Sequence, residues 1–526
     1  MAKGSRKRVK KGEKRPAEPV RRFPFRVGCV DTGTNAIRFL AAEFTGPGRY
    51  EVLAYERIPV RLGHQVFLTG RLAESAMDAA VEAFGSFREQ MSELKLDTFR
   101  AVATSAVREA KNGFEFVGRI LESSSIHLEM ISGSEEARLV HLAVASKVKL
   151  TGGTWILVDL GGGSVEVSLV DDMGMLWSES HTMGSVRLLE QLSEAQPDPR
   201  GFGALLSDYV STLRIPAPAQ YWSPSGFVAT GGNIDALAKL ANAPRDEKGV
   251  AVFPLSDLSG VMEILARLSY QERVSQLGLK EDRADVILPA ATVYHHLARM
   301  AGVDTILVPD VGVKEGLILD LAEDLISHTS HEVRQEEQLT KAAMSLGRRF
   351  MFDEAHGLHV ARLSLSLFDQ LQALHGLGAG DRKLLLAAAI LHDIGSFISR
   401  KGHHKHSLYI IKRSELPGLS PSEMLMVANV SRYHRKNTPQ PTHIDFMRLS
   451  EPQRERVTKL AALLRVADAL DRSHLQGVEG VAAEVRDDEV RIRLDSDGDC
   501  LLERWALGQK KTLFERTFHR SVQAFV

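Results

Sequence analysis

Apolar and polar positions repeat with two different periods along the first part of the chain. Short apolar runs rich in β-branched residues, such as 99–104 and 305–311, predict strands. Longer stretches with apolar residues three and four positions apart, such as 73–94 and 255–277, predict helices. Strands that alternate with helices are typical of α/β layers, so we predict an α/β fold from Phe25 to about His328.

One strand-turn-strand pattern occurs in two copies. In the first copy, 27–44, an apolar run carries Asp31 before a turn and a second apolar run. In the second copy, 155–170, Asp159 holds the same place. Two copies of one unit predict two similar lobes that face a shared cleft.

The turns of both copies, and a third turn that opens a helix, are rich in glycine and small polar residues. They are Gly33, Thr34 and Asn35; Gly161, Gly162, Gly163 and Ser164; and Thr230, Gly231 and Gly232. Glycine lets backbone N–H groups approach an anion, and an aspartate at a strand end can hold a cation such as Mg²⁺. Taken alone, the turn at 161–164 is better explained as a simple hairpin, and the second copy is what favours a phosphate site.

The composition changes after about residue 327. The chain becomes rich in helical patterns and in histidine up to about His474, and the last segment returns to short alternating runs. We therefore predict a disordered basic arm at 1–22, lobe I at 23–150, lobe II at 151–326, a helical domain at 327–475 and a small αβ appendage at 476–526.

Composition excludes several classes of protein. The 526 residues carry a net charge of −1, so no overall charge attracts nucleic acid or a membrane surface. The longest apolar run, near 384–391, is too short to span a bilayer, and no signal-peptide pattern follows Met1. Cys29 and Cys500 lie in different predicted domains. We therefore expect a cytoplasmic protein without disulfides. The sequence also contains neither a P-loop motif nor a dinucleotide-binding glycine motif.

Two further segments offer charged groups to the cleft. Arg108 follows a strand at the start of a helix, where a bound phosphate or an ion pair with Glu109 or Glu136 would satisfy it. Ser132 and Glu135 fit a capping box, which explains Glu135 structurally. Glu136 has no such explanation and could orient an attacking water, although the sequence does not decide which glutamate faces inward.

Motifs of one protein family stand in order along the chain. They are VDTGTNAIRFL at Val30, ATSAVREAKN at Ala103, ISGSEEARLV at Ile131, LVDLGGGSVEVSL at Leu157, MGSVRL at Met183, ATGGNIDALAK at Ala229, RADVILPAA at Arg283 and DVGVKEGLILDL at Asp310. Over about residues 25–322 the chain resembles the exopolyphosphatase and guanosine pentaphosphate phosphatase (Ppx/GppA) family. The resemblance implies two lobes of the actin-like, sugar kinase and Hsp70 superfold, followed by an all-α HD-type domain and the αβ appendage.

The resemblance also implies roles for individual residues. Glu136 would be the catalytic base, Arg108 the phosphate clamp and Asp159 the Mg²⁺ ligand, with Asp31 as a further candidate ligand. The glycine turns named above, together with Glu166, would bind phosphate. The first turn departs from the common family wording at Ala36, Ile37 and Arg38. We expect Arg38 to be an exposed surface residue rather than an anion contact.

Four functions fit these motifs to different degrees. Exopolyphosphatase is the main hypothesis, with hydrolysis of guanosine pentaphosphate in the same site as the first alternative. A kinase of the same superfold is disfavoured by the Glu136 motif, and a sensor without turnover is disfavoured by intact Glu136, Arg108 and Asp159. Arg187, the basic cluster 432–436 and the N-terminal basic arm are candidates for holding a long polyanion. The family resemblance implies a homodimer.

The histidines of the helical region form a second candidate site. Imidazoles and carboxylates brought together from several helices suit divalent metals, and the adjacent pair His392 and Asp393 resembles the HD phosphohydrolase pattern. By that resemblance, the ligands of a first metal would be His359, His392, Asp393 and Asp468, and those of a second would be His404, His406 and His434. Two hypotheses stay open: a structural domain that shapes the polyphosphate channel and the dimer interface, or a second phosphohydrolase.

Overall fold

A computed structural model describes most of the chain. The described residues are 23–171, 174–195, 199–215, 224–326, 331–416, 418–435 and 437–526. The predicted arm at 1–22 lies outside them, and so does Lys436 of the predicted basic cluster. In this part of the chain, every helix is too short or too polar to cross a lipid bilayer.

The first copy of the repeated unit lies in a five-stranded sheet. Its strands are β1 (Phe25–Thr32), β2 (Ile37–Gly46), β3 (Arg49–Ile58), β4 (Thr98–Ala103) and β5 (Leu128–Met130). They lie in the order β3-β2-β1-β4-β5, with β1 to β3 antiparallel and with β4 and β5 parallel to β1. The accompanying helices are α1 (Val66–Thr69), α2 (Glu74–Glu93), α3 (Ser105–Glu109), α4 (Gly113–Ser124) and α5 (Gly133–Lys147).

The second copy lies in a six-stranded sheet. Its strands are β6 (Trp155–Leu160), β7 (Val165–Asp171), β8 (Gly174–His181), β9 (Gly226–Thr230), β10 (Ala251–Pro254) and β11 (Thr305–Val308). In the order β10-β11-β9-β6-β7-β8, strands β6, β7, β8, β9 and β11 take the places of β1 to β5 in the first sheet. The topology therefore repeats as the two sequence copies predict.

Helices follow the strands of the second sheet. They are α6 (Ser185–Ala195), α7 (Pro199–Val210), α8 (Gly232–Leu240), α9 (Leu255–Arg267), α10 (Tyr270–Ser275), α11 (Glu281–Ala284), α12 (Ile287–Met300) and α13 (Val313–Ile326). The single helix predicted for 255–277 is thus wrong. The helix ends before Leu268, because Ser269 and Glu272 form a capping box that starts a new helix, α10.

One buried core joins the two sheets. Leu139 of α5 and Leu317 of α13 are fully buried together with Val27 of β1 and Leu157 of β6. Burial of apolar surface is the main favourable term in folding, so this shared core fixes the two glycine turns relative to each other.

The rest of the described chain is mainly helical, as predicted. It contains α14 (His331–Arg349), α15 (Glu354–Gln370), α16 (Gln372–His375), α17 (Ala379–Leu391), a short 3₁₀ helix (Ile394–Phe397), α18 (His403–Lys412), α19 (Pro421–Arg432), α20 (Ile444–Met447) and α21 (Glu451–Ala469). A three-stranded sheet follows, made of β12 (Gly480–Val485), β13 (Glu489–Asp495) and β14 (Ser521–Phe525), with α22 (Leu501–Lys510) and α23 (Thr512–Phe518). Helices and sheet share one core, in which Leu464, Ile492 and Phe514 are buried.

Candidate functional site

The glycine turns of the two sheets meet at a cleft of about 680 Å³. One turn joins β1 to β2, the other joins β6 to β7, and the start of α8 completes the wall. The predicted residues that line the cleft are Asp31, Gly33, Thr34, Asn35, Glu136, Asp159, Gly161, Gly162, Gly231 and Gly232. Folding therefore brings most of the predicted phosphate turns to one place.

Close packing explains the glycines of the second turn. A Cβ at Gly162 would lie 2.7 Å from Cγ2 of Thr34, in the opposite turn. A Cβ at Gly163 would lie 2.5 Å from the Phe67 ring and from Oγ of Ser105, so Gly163 serves the contact between the lobes rather than the cleft wall. The turns therefore approach each other more closely than any side chain would permit.

Three buried carboxylates converge beside the turns. Oxygen atoms of Glu136, Asp159 and Glu166 all lie within 4.8 Å of one another. Thr230 donates to Asp159 at 2.7 Å, and Ser180 donates to Glu166 at 2.8 Å. Among the described residues, one oxygen each of Glu136 and Glu166 has no hydrogen-bond partner. Glu166, which the sequence placed with the phosphate turns, thus belongs to a carboxylate triad.

Burial changes the acidity of this triad. Desolvation and the neighbouring Glu166 charge raise the pKa of Glu136 well above its usual value. Desolvation and Asp159 raise the pKa of Glu166 to about 7, and desolvation also raises the pKa of Asp159. A cation among the three carboxylates would favour their ionised forms.

The side chain of Arg108 lies close to Glu136, whereas the neighbouring Glu135 side chain points away from both. Nη1 of Arg108 donates to the carbonyl of Ile131 at 2.6 Å and lies 3.6 Å from Oε2 of Glu136. Glu135 points the other way, to Arg138 at 2.8 Å. Its amide donates to Ser132 Oγ at 3.2 Å, but the Glu135 carboxylate does not complete the predicted capping box. The inward glutamate is Glu136.

Two predictions about charged residues need correction. Arg38 lines the cleft and donates to Asp31 at 2.9 Å, so it is not an exposed surface residue. Asp31 also lines the cleft but is not part of the carboxylate triad, and its role as a metal ligand stays a prediction. Arg187 donates to the carbonyl of Gly163 at 2.7 Å and to both oxygens of Glu109 at 2.7 Å. These bonds hold it between the lobes, away from a long polyanion.

The cleft wall also carries residues that the sequence did not predict. They are the basic residues Lys239, Lys280, Arg283 and Lys314, the acidic residues Asp235 and Asp310, and the apolar residues Leu240, Leu277 and Leu279. Arg283 and Lys314 stand within the motifs at Arg283 and Asp310, which were the available signal. The cleft therefore combines cations for a polyanion with a small apolar wall.

Comparison with known protein families supports the same interpretation of the cleft. The model of the Ppx/GppA phosphatase family matches residues 44–325, which is more than half of the chain. The chain belongs to the Ppx/GppA phosphatase family. A second model, for domain III of Ppx/GppA phosphatases, matches residues 339–511.

Two solved structures resemble this chain over 58% of its length. An exopolyphosphatase from Cytophaga hutchinsonii is 26% identical, with a TM-score of 0.53, over 58% of this chain and 100% of that one. An exopolyphosphatase-like protein is 25% identical, with a TM-score of 0.52, over 58% of this chain and 99% of that one. This Ppx/GppA protein is a phosphoanhydride hydrolase, as its motifs predicted.

Domain III of this Ppx/GppA protein holds the predicted histidines in a different combination. His356, His392 and Asp393 form one triad, and Asp393, His403 and His434 form another. The sequence predicts His359 as the ligand from α15, but the structure places His356, three residues earlier on that helix, in the first triad.

The remaining predicted histidines lie beside the triads. His359 accepts from Arg362 at 3.0 Å, and His404 and His406 follow His403 on α18 but join neither triad. Asp468 lies next to the first triad, with Oδ1 3.9 Å from Nε2 of His392. A helix presents only some of its residues to one point, and the sequence does not specify which ones.

Proposed function

We propose that the cleft hydrolyses the terminal phosphoanhydride bond of inorganic polyphosphate and releases phosphate. The observation that carries the proposal is Glu136, a buried carboxylate directed at the cleft between glycine turns from both lobes. Its Oε2 atom has no hydrogen-bond partner among the described residues, so an attacking water would have an acceptor there.

Different residues of the cleft would have different roles in this reaction. Water attacks the terminal phosphorus, its proton passes to Glu136, and the bond from phosphorus to the bridging oxygen breaks. Backbone N–H groups of the glycine turns would stabilise charge on the phosphoryl oxygens, and Arg108 would keep Glu136 ionised. A shortened chain and inorganic phosphate leave.

The carboxylate triad fits a divalent cation such as Mg²⁺. Three buried carboxylates within 4.8 Å repel one another, and two of their oxygens have no hydrogen-bond partner in the described part of the chain. Hard oxygen ligands of this kind are the ones that Mg²⁺ prefers. Asp159 and Glu166 would hold the ion beside Glu136, whose Oε2 stays available to the attacking water. The ion would spread the charge of the transferred phosphoryl group.

Guanosine pentaphosphate is the second candidate substrate. The lining of the cleft includes Leu240 and Leu277 as well as the carboxyl groups of Asp235 and Asp310. An apolar wall could stack a purine base, and carboxylates could accept from its N–H groups. The four basic residues of the same lining support polyphosphate instead, because a polyanion needs repeated cationic contacts.

Phosphate release with Mg²⁺ tests both candidates side by side. We expect release from long-chain polyphosphate, and a Glu136→Gln variant should lose about 10²- to 10⁴-fold in rate. Glu135→Gln is the matched control, since this neighbouring carboxylate pairs with Arg138 outside the cleft. An unchanged rate for Glu136→Gln would overturn the proposal, and faster release from guanosine pentaphosphate than from polyphosphate would reverse the order of the candidates.

A further inference from the structure

Four buried imidazoles converge in domain III, far along the chain from the cleft residues. His356 lies on α15, His392 ends α17, His403 begins α18 and His434 follows α19. Nε2 of His356 lies 3.2 Å from Nε2 of His392, and Nε2 of His403 lies 3.1 Å from Nε2 of His434. The Asp393 carboxylate stands between these two pairs.

The other ring nitrogen of each imidazole already has an acceptor. The Nδ1 contacts are His356 to Asp471 at 2.8 Å, His392 to the Ala389 carbonyl at 2.7 Å, His403 to the Arg400 carbonyl at 3.0 Å and His434 to the Ser431 carbonyl at 2.6 Å. A carbonyl or carboxylate accepts, so each Nδ1 carries the proton and donates it. In a neutral imidazole, Nε2 then presents a lone pair to the cluster.

Two facing Nε2 lone pairs satisfy each other only when a cation, either a proton on one ring or a metal ion, lies between them. A proton on one Nε2 makes one such contact, whereas a metal ion accepts several lone pairs at once. Oδ1 of Asp393 adds another acceptor, 3.0 Å from His403 and 3.2 Å from His434, and within the described chain it has no hydrogen-bond donor. Buried acceptors without donors are costly, unless a bound cation satisfies them.

The spacing is the spacing of ligands around one ion. Two ligand atoms that each lie about 2.1 Å from a metal, at right angles or somewhat wider, lie about 3.0–3.4 Å apart. The Nε2 pairs and the contacts of Asp393 with His403 and His434 fall in this range. Each Nδ1 contact fixes its ring orientation, as the outer partners of metal-binding histidines do.

We propose that domain III binds two divalent transition-metal ions that share the Asp393 carboxylate. His356 and His392 would hold one ion with Asp468, and His403 and His434 would hold the other. Imidazole with carboxylate suits Mn, Fe, Co and Zn rather than Ca or Mg. This site is separate from the carboxylate triad of the cleft and does not depend on the function proposed there.

Lys510 acts as a positioning residue for this site. Its ammonium group contacts Oδ2 of Asp468, while Oδ1 faces Nε2 of His356 at 3.8 Å and Nε2 of His392 at 3.9 Å. Lys510 belongs to α22, so the C-terminal segment supplies the outer partner of a ligand on α21. Removal of such a partner typically lowers metal affinity 10- to 100-fold.

Metal content of the full-length protein, prepared without a polyhistidine tag, tests the proposal. Apoprotein is incubated in turn with Mn²⁺, Co²⁺ and Zn²⁺, desalted, and analysed by inductively coupled plasma mass spectrometry. Relative to wild type, Asp393→Asn should retain two fewer equivalents and His434→Ala one fewer. His406→Ala is the matched control on α18 and should retain as much metal as wild type.

Any ion held by the cleft is present in wild type and in every variant, so it does not affect the differences in metal content between them. If His434→Ala does not fold, as judged by circular dichroism of the apoprotein, His434→Gln replaces it and should lose the same equivalent. Lys510→Gln should bind with 10- to 100-fold lower affinity at unchanged stoichiometry. The proposal is overturned if Asp393→Asn retains as much of each ion as wild type, and a loss of only one equivalent overturns the paired centre.

Discussion

At the scale of single residues, the cleft wall makes Asp235 a much weaker acid than an exposed aspartate. Burial and the neighbouring Asp310 charge raise the pKa of Asp235 to about 7, and the two carboxyl groups share a hydrogen bond. In the unfolded chain the same carboxyl has a pKa near 4. Folding therefore costs free energy once the pH rises above the unfolded value, and the cost stops growing above about pH 7.

Asp235→Asn should remove this cost. An amide does not ionise and can still donate to Asp310, so the variant should gain up to about 4 kcal/mol in free energy of unfolding at pH 8. Near pH 4 it should match wild type. Urea unfolding at the two pH values measures the difference, and Asp208→Asn, at an exposed position on α7, is the control. Equal pH dependence in wild type and Asp235→Asn would contradict the assignment.

Residue types near the site could be predicted, but their orientation could not. The motifs predicted Glu136 at the cleft, yet only the packing of α5 shows that Glu135 turns toward Arg138 instead. His359 was predicted where His356 stands, because both lie on one helix and three residues separate them. Which of them reaches His392 depends on the rotation of α15, and that rotation depends on tertiary contacts.

At the scale of elements, the start of α6 lies directly on the second glycine turn. The amides of Ser185 and Val186 donate to carbonyls of Gly161 and Gly162 at 3.1 and 2.8 Å. A Cβ at Gly184 would lie 2.3 Å from the backbone of Gly163, well inside any normal contact. Gly184 therefore lets α6 support the turn from behind.

Gly184→Ala should displace that turn. Because its Cβ would meet backbone rather than a flexible side chain, the turn has to move, and a shift near 1 Å at a reacting centre costs about 10²-fold in rate. The phosphate-release assay of the proposed function measures this loss. Gly260→Ala in α9 is the matched control, since nothing lies within 4 Å of its Cβ position. A fully active Gly184→Ala protein would show that the turn does not position the substrate.

Strands and helices could be predicted from the sequence where the local pattern of apolar and polar residues was unambiguous. The repeated strand-turn-strand unit was recognised because alternation, glycine and aspartate recur in both copies. The break between α9 and α10 was missed, although Ser269 and Glu272 carry the S-x-x-E signature of a helix start. The apolar periodicity continues from α9 into α10. The capping residues therefore predict the start of α10 better than the periodicity does.

At the scale of the whole molecule, the C-terminal sheet and helices share the core of domain III. Val490 and Ile492 of β13 and Phe514 of α23 are buried in one cluster with Leu460 and Leu464 of α21. The sequence showed a change of pattern near residue 476, but it did not show this shared core, which depends on contacts between distant segments. The composition of the last segment alone looked like that of a separate appendage.

This shared core predicts that residues 476–526 are required for domain III to fold. A fragment 331–526 should unfold cooperatively in urea, whereas a fragment 331–475 should not, because it exposes the apolar faces that β13 and α23 cover. Within the longer fragment, Phe514→Ala should cost about 3–5 kcal/mol in free energy of unfolding, because the side chain is fully buried. Trp505→Ala on α22 is the control, since Trp505 is 61% exposed, and it should cost far less. Equal cooperativity in the two fragments would show that the helices form a domain without the C-terminal segment.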